Sequence, residues 1–306
     1  MYGANVGQLG WLRRPATVNQ AVCGLVVDEK KADWRFVFYS LLFNRGDLTV
    51  KAHGAAQQNL NQELIRQFEI QLPPLPAQRR VASVLSAYDE HIENSQRRIG
   101  ILEAMARALY REWFVHFRFP GHEQTRRVTS ALGDIPEGWD VKKLGEVVTL
   151  NYGKALKSEN RRAGDVPVFG SSGIVGYHDA AIAKGPGIVV GRKGNVGSVF
   201  WSEEDFYPID TAYFVTSPLP LRYMYYDLQT KNFLNNDAAV PGLNRNQAYS
   251  LDTLVPTPEI LSEFCRIADR LEWLAIVLQR QCVKLRETRD LLLPRLLSGE
   301  LNVAAR

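Results

Sequence analysis

The sequence has few of the residues from which disulfide frameworks and metal centres are built. Its three cysteines, Cys23, Cys265 and Cys282, have no paired or CxxC spacing, which predicts neither a disulfide framework nor a thiolate zinc site. The five histidines are dispersed and form no His-Glu-x-x-His pattern, so we expect no bound metal. This sparse cysteine usage fits a reducing, cytoplasmic compartment.

Sequence patterns typical of nucleotide-binding and hydrolytic enzymes are also missing. The glycine-rich stretch 191–197 matches neither the G-x-x-x-x-G-K-[ST] phosphate loop nor G-x-G-x-x-G, and no G-x-S-x-G nucleophile turn occurs. Because an enzyme needs a constellation of such groups, we expect no catalytic residue and no cofactor held by this chain itself.

Long apolar runs are absent too. No stretch approaches the roughly 20 apolar residues that span a bilayer, and the first residues lack a basic leader with an apolar core, which predicts a soluble, unexported protein without a membrane partner. With 306 residues, 45% hydrophobic and 23% charged, the chain has room for about two globular domains.

Positive charge is concentrated in adjacent arginine pairs rather than in the modest net charge of +4. Such pairs suit contacts with phosphate groups, although solvated surface charge is an equally good interpretation of any one pair. The pairs lie at 13–14, 79–80, 97–98, 126–127 and 161–162.

Part of the sequence occurs twice, at an offset of about 190 residues. Asn-Val-Gly at 5–7 followed by Trp11 recurs as 195–197 followed by Trp201. Further along, Leu60, Asn61, Phe68, Leu72 and Pro73 correspond to Leu243, Asn244, Leu251, Val255 and Pro256. The conserved order of these features predicts a duplicated unit.

Each copy leads into a long helical pattern, predicted over 76–119 and 257–297. Apolar residues at alternating three- and four-residue steps form heptad seams, with Ser95 interrupting the first. A seam about 50 Å long needs a partner, so we predict an antiparallel coiled coil; the alternative is that each helix packs on its own domain. The predicted pairing residues are Val81, Leu85, Tyr88, Ile92, Ile99, Leu102, Leu109, Ile267, Leu271, Leu274, Leu278 and Leu285.

Between the helices, 135–256 changes to short apolar runs punctuated by glycine. Strands are predicted at 147–150, 166–169, 187–191, 198–201 and 212–215, with a helix near 220–233, which makes the fold class mixed α/β and strand-rich. The loops combine glycine with Arg, Lys, Asn, Ser and Tyr, the residue types that bond to bases and phosphates. The residues predicted to bind DNA are Lys154, Ser171, Ser172, Tyr177, Arg192, Lys193, Asn195, Asn244 and Arg245.

Each of these loops also has a purely structural interpretation. Gly-Ser-Ser-Gly at 170–173 is often only a turn, and Asn244 is suited to capping the element that follows it.

Several longer stretches resemble the specificity (S) subunits of type I restriction-modification systems. They are LPPLPAQRRVA at 72–82, IPEGW at 135–139, GSSGIVGY at 170–177, GRKGNVG at 191–197 and LPRLLSGEL at 293–301. The resemblance implies two target-recognition domains, each reading one half of a bipartite site in double-stranded DNA, held apart by two antiparallel helices. It further implies docking to methyltransferase (M) subunits and, through the complex, to a restriction (R) subunit. S-adenosylmethionine, ATP and Mg are then expected only on those partners.

One departure from the family pattern concerns the first recognition domain. In the repeat register Met1 corresponds to about Gly191, so 1–75 is predicted to be the C-terminal remnant of that domain. The chain is then either a fragment of an interrupted gene or one that completes itself by pairing with another S chain. The predicted order continues with a first spacer helix (76–119), a linker (120–134), a second recognition domain (135–256), a second helix (257–297) and a tail (298–306).

Two other functional classes stay open on residue patterns alone. One is a coiled-coil scaffold that binds only protein. The other is a self-contained methyltransferase or nuclease. Steep salt dependence of DNA binding separates the first from a DNA-reading adaptor.

Overall fold

The computed structural model describes residues 6–53, 60–233 and 242–301, and the chain divides into two compact units. The first contains 1–100 and 276–306, and the second contains 101–275. Two long helices, α4 (Leu75–Tyr110) and α8 (Pro258–Leu297), each contribute residues to both units.

Among the residues that the structure describes, the regular elements of the first unit are helices, and 6–33 has no regular secondary structure. Asp33 caps its first helix by accepting hydrogen bonds from the backbone N–H groups of Arg35 and Phe36. Buried Phe36 and Tyr39 pack against the start of α4 and the end of α8. This first helix is α1 (Trp34–Phe43), and it is followed by α2 (Arg45–His53) and α3 (Gln62–Arg66).

Within the first unit, α4 and α8 run antiparallel. Leu85 shares a buried cluster with Leu293, and Asp89 forms an ion pair with Arg289. Next along, Cys282 Sγ lies 3.7 Å from the Ile92 carbonyl oxygen. Because residue numbers rise on one helix as they fall on the other, the pair is antiparallel, as predicted. Together with the strands described below, this confirms the predicted fold class, a mixed α/β chain with two paired long helices.

The described residues of the second unit, 101–233 and 242–275, form four small sheets. A four-stranded sheet has the order β4-β10-β7-β8 and a three-stranded sheet the order β6-β5-β9, with β1-β2 and β11-β3 as two-stranded ribbons. Among the strand pairs of the described residues, β5-β9 is parallel and the others are antiparallel. The strands are β1 (Arg127–Ser130), β2 (Gly133–Pro136), β3 (Asp140–Lys143), β4 (Thr149–Tyr152), β5 (Val166–Gly170), β6 (Gly173–His178), β7 (Gly187–Gly191), β8 (Val199–Ser202), β9 (Tyr207–Pro208), β10 (Ala212–Thr216) and β11 (Asp252–Val255).

Strand β7 shows why this sequence forms a buried sheet. Its run Gly-Ile-Val-Val-Gly is buried at every position and is paired on both sides, by β10 and β8. A short continuous run of β-branched residues between glycines is typical of such a doubly covered strand. In its described residues this unit also contains the short α-helices α5 (Leu144–Val147), α6 (Leu221–Thr230) and α7 (Arg245–Ser250).

Aromatic side chains fill the core of the second unit where the two long helices meet the sheets. The ring centroids of Tyr110 and Phe264 lie 6.0 Å apart, and those of Phe114 and Tyr223 4.8 Å apart. Ala106 and Ala268 are fully buried in the same cluster, so small side chains occupy the contact between the helices.

Sequence and structure differ at the end of the first long helix and in the predicted linker. Helix α4 is followed by a π-helical turn at Arg111–Val115, and Phe117 takes a φ of +57°, which a continuing right-handed helix excludes. The helix therefore stops before 119. Residues 120–134 were predicted as a linker, yet they carry β1 and the first residues of β2, joined through Gly133 at a φ of +90°.

The strand predicted at 147–150 begins later than expected, because Leu144–Val147 forms a helical turn and β4 starts at Thr149. Tyr177, predicted among the loop residues that bind DNA, lies on a strand instead, since Gly173–His178 forms β6.

The helix seam also differs from its prediction. Leu274 was expected to pair the helices but is 42% exposed, whereas its neighbour Ala275 is 2% exposed. Ser95, taken as an interruption, is 3% exposed. The prediction placed the largest apolar residue at each contact position of the heptad pattern. It failed here because small residues, Ala275 and Ser95, occupy the buried positions. Of the other predicted pairing residues, the structure buries Val81, Leu85, Ile92 and Leu278, and half-buries Tyr88, Ile99, Leu102, Leu109, Ile267, Leu271 and Leu285.

Local conformations recur at the positions of the sequence repeat. Gly7 and Gly197 have φ values of +74° and +76°. Asn61 caps α3 and Asn244 caps α7, each through its side-chain oxygen. The boundaries of the recognition domains themselves stay predictions.

Candidate nucleic-acid interface

A tight loop at 191–198 presents Arg192, Lys193 and Asn195 at the surface of the second unit. A Cβ on Gly191 would lie 2.1 Å from the Asn195 carbonyl oxygen, so this loop closes only around glycine. The Gly197 N–H donates to the Gly191 carbonyl over 2.9 Å and fixes the closure. Three polar side chains are thereby held on one short, constrained segment.

The turn between β5 and β6 packs against this loop. Asn195 Nδ2 donates to Ser172 Oγ over 3.1 Å, and Ser198 Oγ donates to the Ser171 carbonyl over 2.6 Å. Ser172 is exposed, but Ser171 is only 9% exposed. Ser171 therefore supports the loop from below, and its predicted contact with DNA does not fit its burial.

A third segment, at 242–245, joins the same cluster. The Leu243 N–H donates to the Arg192 carbonyl over 2.8 Å, and Lys193 forms an isolated β-bridge with Gly242. The oxygen of exposed Asn244 accepts the backbone N–H groups of Asn246 and Gln247, at 2.9 and 3.3 Å. The capping interpretation of Asn244 is thus the one its contacts support.

The end of β4 brings Lys154 to the cluster through the stretch 208–212. The Lys154 N–H donates to the Pro208 carbonyl over 3.0 Å, while the Arg192 and Lys193 N–H groups both donate to the Thr211 carbonyl. A Cβ on Gly153 would lie 2.2 Å from the Ile209 carbonyl oxygen, which explains the glycine beside Lys154. Four segments that are distant in sequence therefore converge.

Three tyrosines surround the two arginines of the site. The guanidinium carbon of Arg192 lies 4.9 Å from the ring centroid of Tyr152 and 5.7 Å from that of Tyr213. The guanidinium carbon of Arg245 lies 5.2 Å from the Tyr152 centroid and 5.9 Å from that of Tyr249. The sequence predicted no role for any of these three tyrosines, because contacts between strands and loops leave no local periodicity.

Burial raises the pKa of the Tyr213 phenol above its ordinary value, and a hydrogen bond with Tyr152 adds to the effect. The phenol therefore stays neutral near pH 7 and does not act as an anionic partner for Arg192. One Arg192 Nη1 hydrogen bond, 3.1 Å long, goes to the Asp210 carbonyl.

The site is electropositive in its surroundings as well as in its composition. Among the residues that the structure describes, no carboxylate forms an ion pair with Lys154, Arg192, Lys193 or Arg245. Lys154 and Lys193 are exposed and the two arginines half-buried. Two exposed and two half-buried cations at this site therefore suit an anionic or acceptor-rich ligand.

Tyr177 lies apart from these loops, on β6 opposite Pro167. It is 55% exposed, and Ile174 on the same strand is 53% exposed. Arg161 Nη1 donates to the Val175 carbonyl over 2.6 Å. The predicted residue is therefore accessible, but as part of a strand with apolar neighbours.

Two ion pairs with buried members connect the elements of the second unit. Asp227, 2% exposed, accepts hydrogen bonds from Tyr110 Oη at 3.0 Å and Thr253 Oγ1 at 2.8 Å, and its Oδ1 lies 3.0 Å from Lys231 Nζ. Arg222, also buried, pairs with Asp269 over 2.7 Å. These contacts attach α6 to both long helices within the second unit.

Within the described part of the chain, no group of three or more His, Cys, Asp or Glu side chains is arranged to hold a metal ion. Across 6–53, 60–233 and 242–301, no helix combines the length and the apolar character needed to cross a membrane.

Converging loops rich in Arg, Lys, Asn and Ser on a strand-rich scaffold are typical of proteins that bind nucleic acids. Comparison with known proteins agrees with this class. The family model described as the type I restriction modification DNA specificity domain matches residues 1–104 and 136–247.

Similar proteins carry the same description. The type I restriction enzyme MjaIX specificity subunit of Methanocaldococcus jannaschii is 24% identical over 336 residues, covering 98% of this chain and 76% of that protein. The MjaVIII specificity subunit of the same organism is 28% identical over 155 residues, covering 51% of this chain and 36% of that protein.

The fold is similar to that of the type I restriction-modification S subunit of M. genitalium, with a TM-score of 0.62 at 19% identity over 88% of this chain and 74% of that one. The chain belongs to the family of type I restriction modification DNA specificity domains. It is accordingly a DNA-recognition subunit, and a non-catalytic one, as the predicted function states.

Proposed function

We propose that the second unit reads one half-site of a DNA target through the converging loops, with Lys154, Ser172, Arg192, Lys193, Asn195 and Arg245 as contact residues. The observation that carries this proposal is the convergence itself. Four separate segments bring four cations, which have no carboxylate partner in the described part of the chain, together with an exposed amide and an exposed hydroxyl. Ser171 and Asn244 support the loops, and Tyr177 contacts DNA from β6.

The residue types indicate different roles for these side chains in binding DNA. Arginine donates two hydrogen bonds to the guanine O6 and N7 atoms, and asparagine pairs with adenine, so Arg192 and Asn195 are proposed to select bases. Lys154 and Lys193 are exposed point charges and are proposed to contact phosphates. Selection and affinity are then carried by different side chains.

Replacing Arg192 with alanine is expected to cost about 1–3 kcal/mol of binding to the preferred duplex and to relax the choice at one base pair. Replacing neighbouring Lys193 with alanine serves as the matched control. It should weaken binding to all duplexes alike and lower the salt slope by about one. Selection from a randomised duplex library, with affinities measured at several salt concentrations, tests both. Identical selected sequences for Arg192→Ala and the unaltered chain would remove Arg192 from the reading surface, and salt-independent binding would favour a protein-only scaffold.

We further propose that the long helices dock a methyltransferase subunit, which carries S-adenosylmethionine, and through the complex a restriction subunit, which uses ATP and Mg. Four apolar side chains of the second unit's helices face solvent: Ile101, Met105, Trp273 and Leu274, at 52, 50, 62 and 42% exposed. Tyr110 packs on Phe264 in the antiparallel pair, so Ile101 and Trp273, each nine residues away, lie at the same level. Exposed aromatic and aliphatic residues of this kind are typical of interface centres.

Changing Trp273 to Glu is expected to abolish co-elution of the chain with its methyltransferase subunit in size-exclusion chromatography. A buried aromatic anchor contributes about 2 kcal/mol or more to an interface, and a charge in its place adds a desolvation cost. Leu291, also on α8 and 71% exposed, gives the control, since Leu291→Glu should leave co-elution intact. Co-elution unchanged in Trp273→Glu would place the docking surface elsewhere.

The domain order stated from the sequence remains part of this proposal, with 135–256 as the recognition domain and 1–75 as part of another. We also propose a cytoplasmic location, because the family acts on DNA. Pairing with a second S chain is proposed because the family works in assemblies of several subunits.

A further inference from the structure

Tyr152 occupies a central position among the cations of the interface. It ends β4 and is 50% exposed, and its ring centroid lies 4.9 Å from the Arg192 guanidinium carbon and 5.2 Å from that of Arg245. One aromatic ring therefore contacts both guanidinium groups of the site.

Cross-strand pairing fixes the ring itself. Tyr152 is in register with Tyr213 of β10, and their ring centroids lie 5.0 Å apart. Buried Tyr213 is 2% exposed, so it forms a rigid base for Tyr152. The ring's position is set by the sheet rather than by the loops it contacts.

This arrangement holds two like charges close together. An aromatic ring attracts a guanidinium through its electron-rich face, and planar arginines stack well on such rings. Among the described residues neither arginine has a carboxylate partner, so the contact with Tyr152 offsets part of their mutual repulsion. It leaves their remaining N–H donors available to a ligand.

We propose that Tyr152 is a specificity-determining positioning residue, which orients Arg192 and Arg245 to donate hydrogen bonds to the O6 and N7 acceptors of guanine in the target half-site. This inference rests on the proposed function and deepens it. A base edge is favoured over a phosphate as the ligand of Arg192. Its Nη1 already donates a hydrogen bond to the Asp210 carbonyl, and its side chain is half-buried, so the guanidinium is held in place. A guanidinium held in one orientation suits the two acceptors on the guanine edge, whereas the exposed lysine ammonium groups suit phosphates.

The test uses the full chain and three variants, Tyr152→Ala, Tyr152→Leu and Tyr152→Phe. Each is used in selection from a randomised duplex library, and its affinity for the duplex preferred by the unaltered chain is then measured. Losing the cation–π contact should weaken that affinity about three- to thirty-fold in the alanine and leucine variants and erase a guanine preference at one or two positions. The phenylalanine variant keeps the ring and should retain the preference. The salt slope should be unchanged, because the phosphate contacts remain.

A modified base gives a readout that a merely structural role would not move. Replacing the selected guanine with 7-deazaguanine removes the N7 acceptor, so it should weaken binding by the unaltered chain and by Tyr152→Phe but make little difference to Tyr152→Ala. Thermal melting of each variant checks the fold, and leucine preserves the apolar contact if alanine lowers stability.

Three outcomes would overturn the inference. Tyr152→Ala with unchanged base preference would show that the ring does not position the arginines. An equal loss on all duplexes with a shallower salt slope would place the guanidinium groups on phosphates instead. If the unaltered chain selects no sequence at all, the proposed function fails together with the inference. The first two outcomes leave half-site reading by the second unit in place, and the second of them removes only the role of Arg192 in base selection.

Discussion

Replacing Asp227 with alanine is expected to destabilise the second unit by about 3–5 kcal/mol. Its carboxylate is buried and accepts hydrogen bonds from Tyr110 and Thr253, while Lys231 Nζ lies 3.0 Å away. Removing it leaves the ammonium of Lys231, whose side chain is 13% exposed, without its ion-pair partner and leaves two hydroxyl groups short of an acceptor. Because Tyr110 and Thr253 are both buried, water replaces the lost carboxylate poorly, which makes the cost large.

Urea denaturation followed by tryptophan fluorescence measures this effect, because Trp139 is buried in the same core. Asp165 is exposed and supplies the matched control, since Asp165→Ala should change the free energy of unfolding by no more than about 0.5 kcal/mol. A loss below about 1 kcal/mol in Asp227→Ala would mean that the carboxylate is not essential to the network.

Changing Leu85 to Asp is expected to unfold the helix pair of the first unit. Leu85 is fully buried against residues of α1 and α8. Truncating such a leucine to alanine alone costs about 2–5 kcal/mol, and an unpaired carboxylate in the same cavity costs more. Loss of helical circular dichroism, or a sharply lowered melting temperature, would record it.

Leu274→Asp is the informative comparison. The sequence assigned Leu85 and Leu274 the same role, but Leu274 is 42% exposed and its replacement should change stability by no more than about 0.5 kcal/mol. Equal losses in the two variants would support the seam predicted from the heptads over the one in the structure.

The long helices were predictable because their periodicity is local. In each helix an apolar residue recurs every three or four positions, and Pro76 or Pro258 precedes the apolar run. This pattern is enough to indicate a helix of this length. Strand β7 was equally clear, since its apolar run is bounded by glycines. The ribbon of β1 and β2 was not, because its exposed residues show no alternation that marks a strand.

The binding site was predictable only in outline. Glycine-rich loops with Arg, Lys and Asn pointed to Arg192, Lys193 and Asn195, and the structure brings these loops together. Sequence did not reveal that Ser171 lies beneath them, because burial depends on which segments pack over a turn. Nor did it reveal the part played by Tyr152, whose partners lie far away in sequence.

The amino-acid sequence by itself determined the class of the protein, the two long helices and the order of the segments, because family resemblance and helical periodicity are written in consecutive residues. Only the tertiary structure decided which residues share a surface. Hydrogen bonds between loops placed Ser172 beside Asn195, and cross-strand pairing set Tyr152 on Tyr213 beneath two arginines. Contacts of this kind depend on how distant segments pack, and packing is a property of the folded chain.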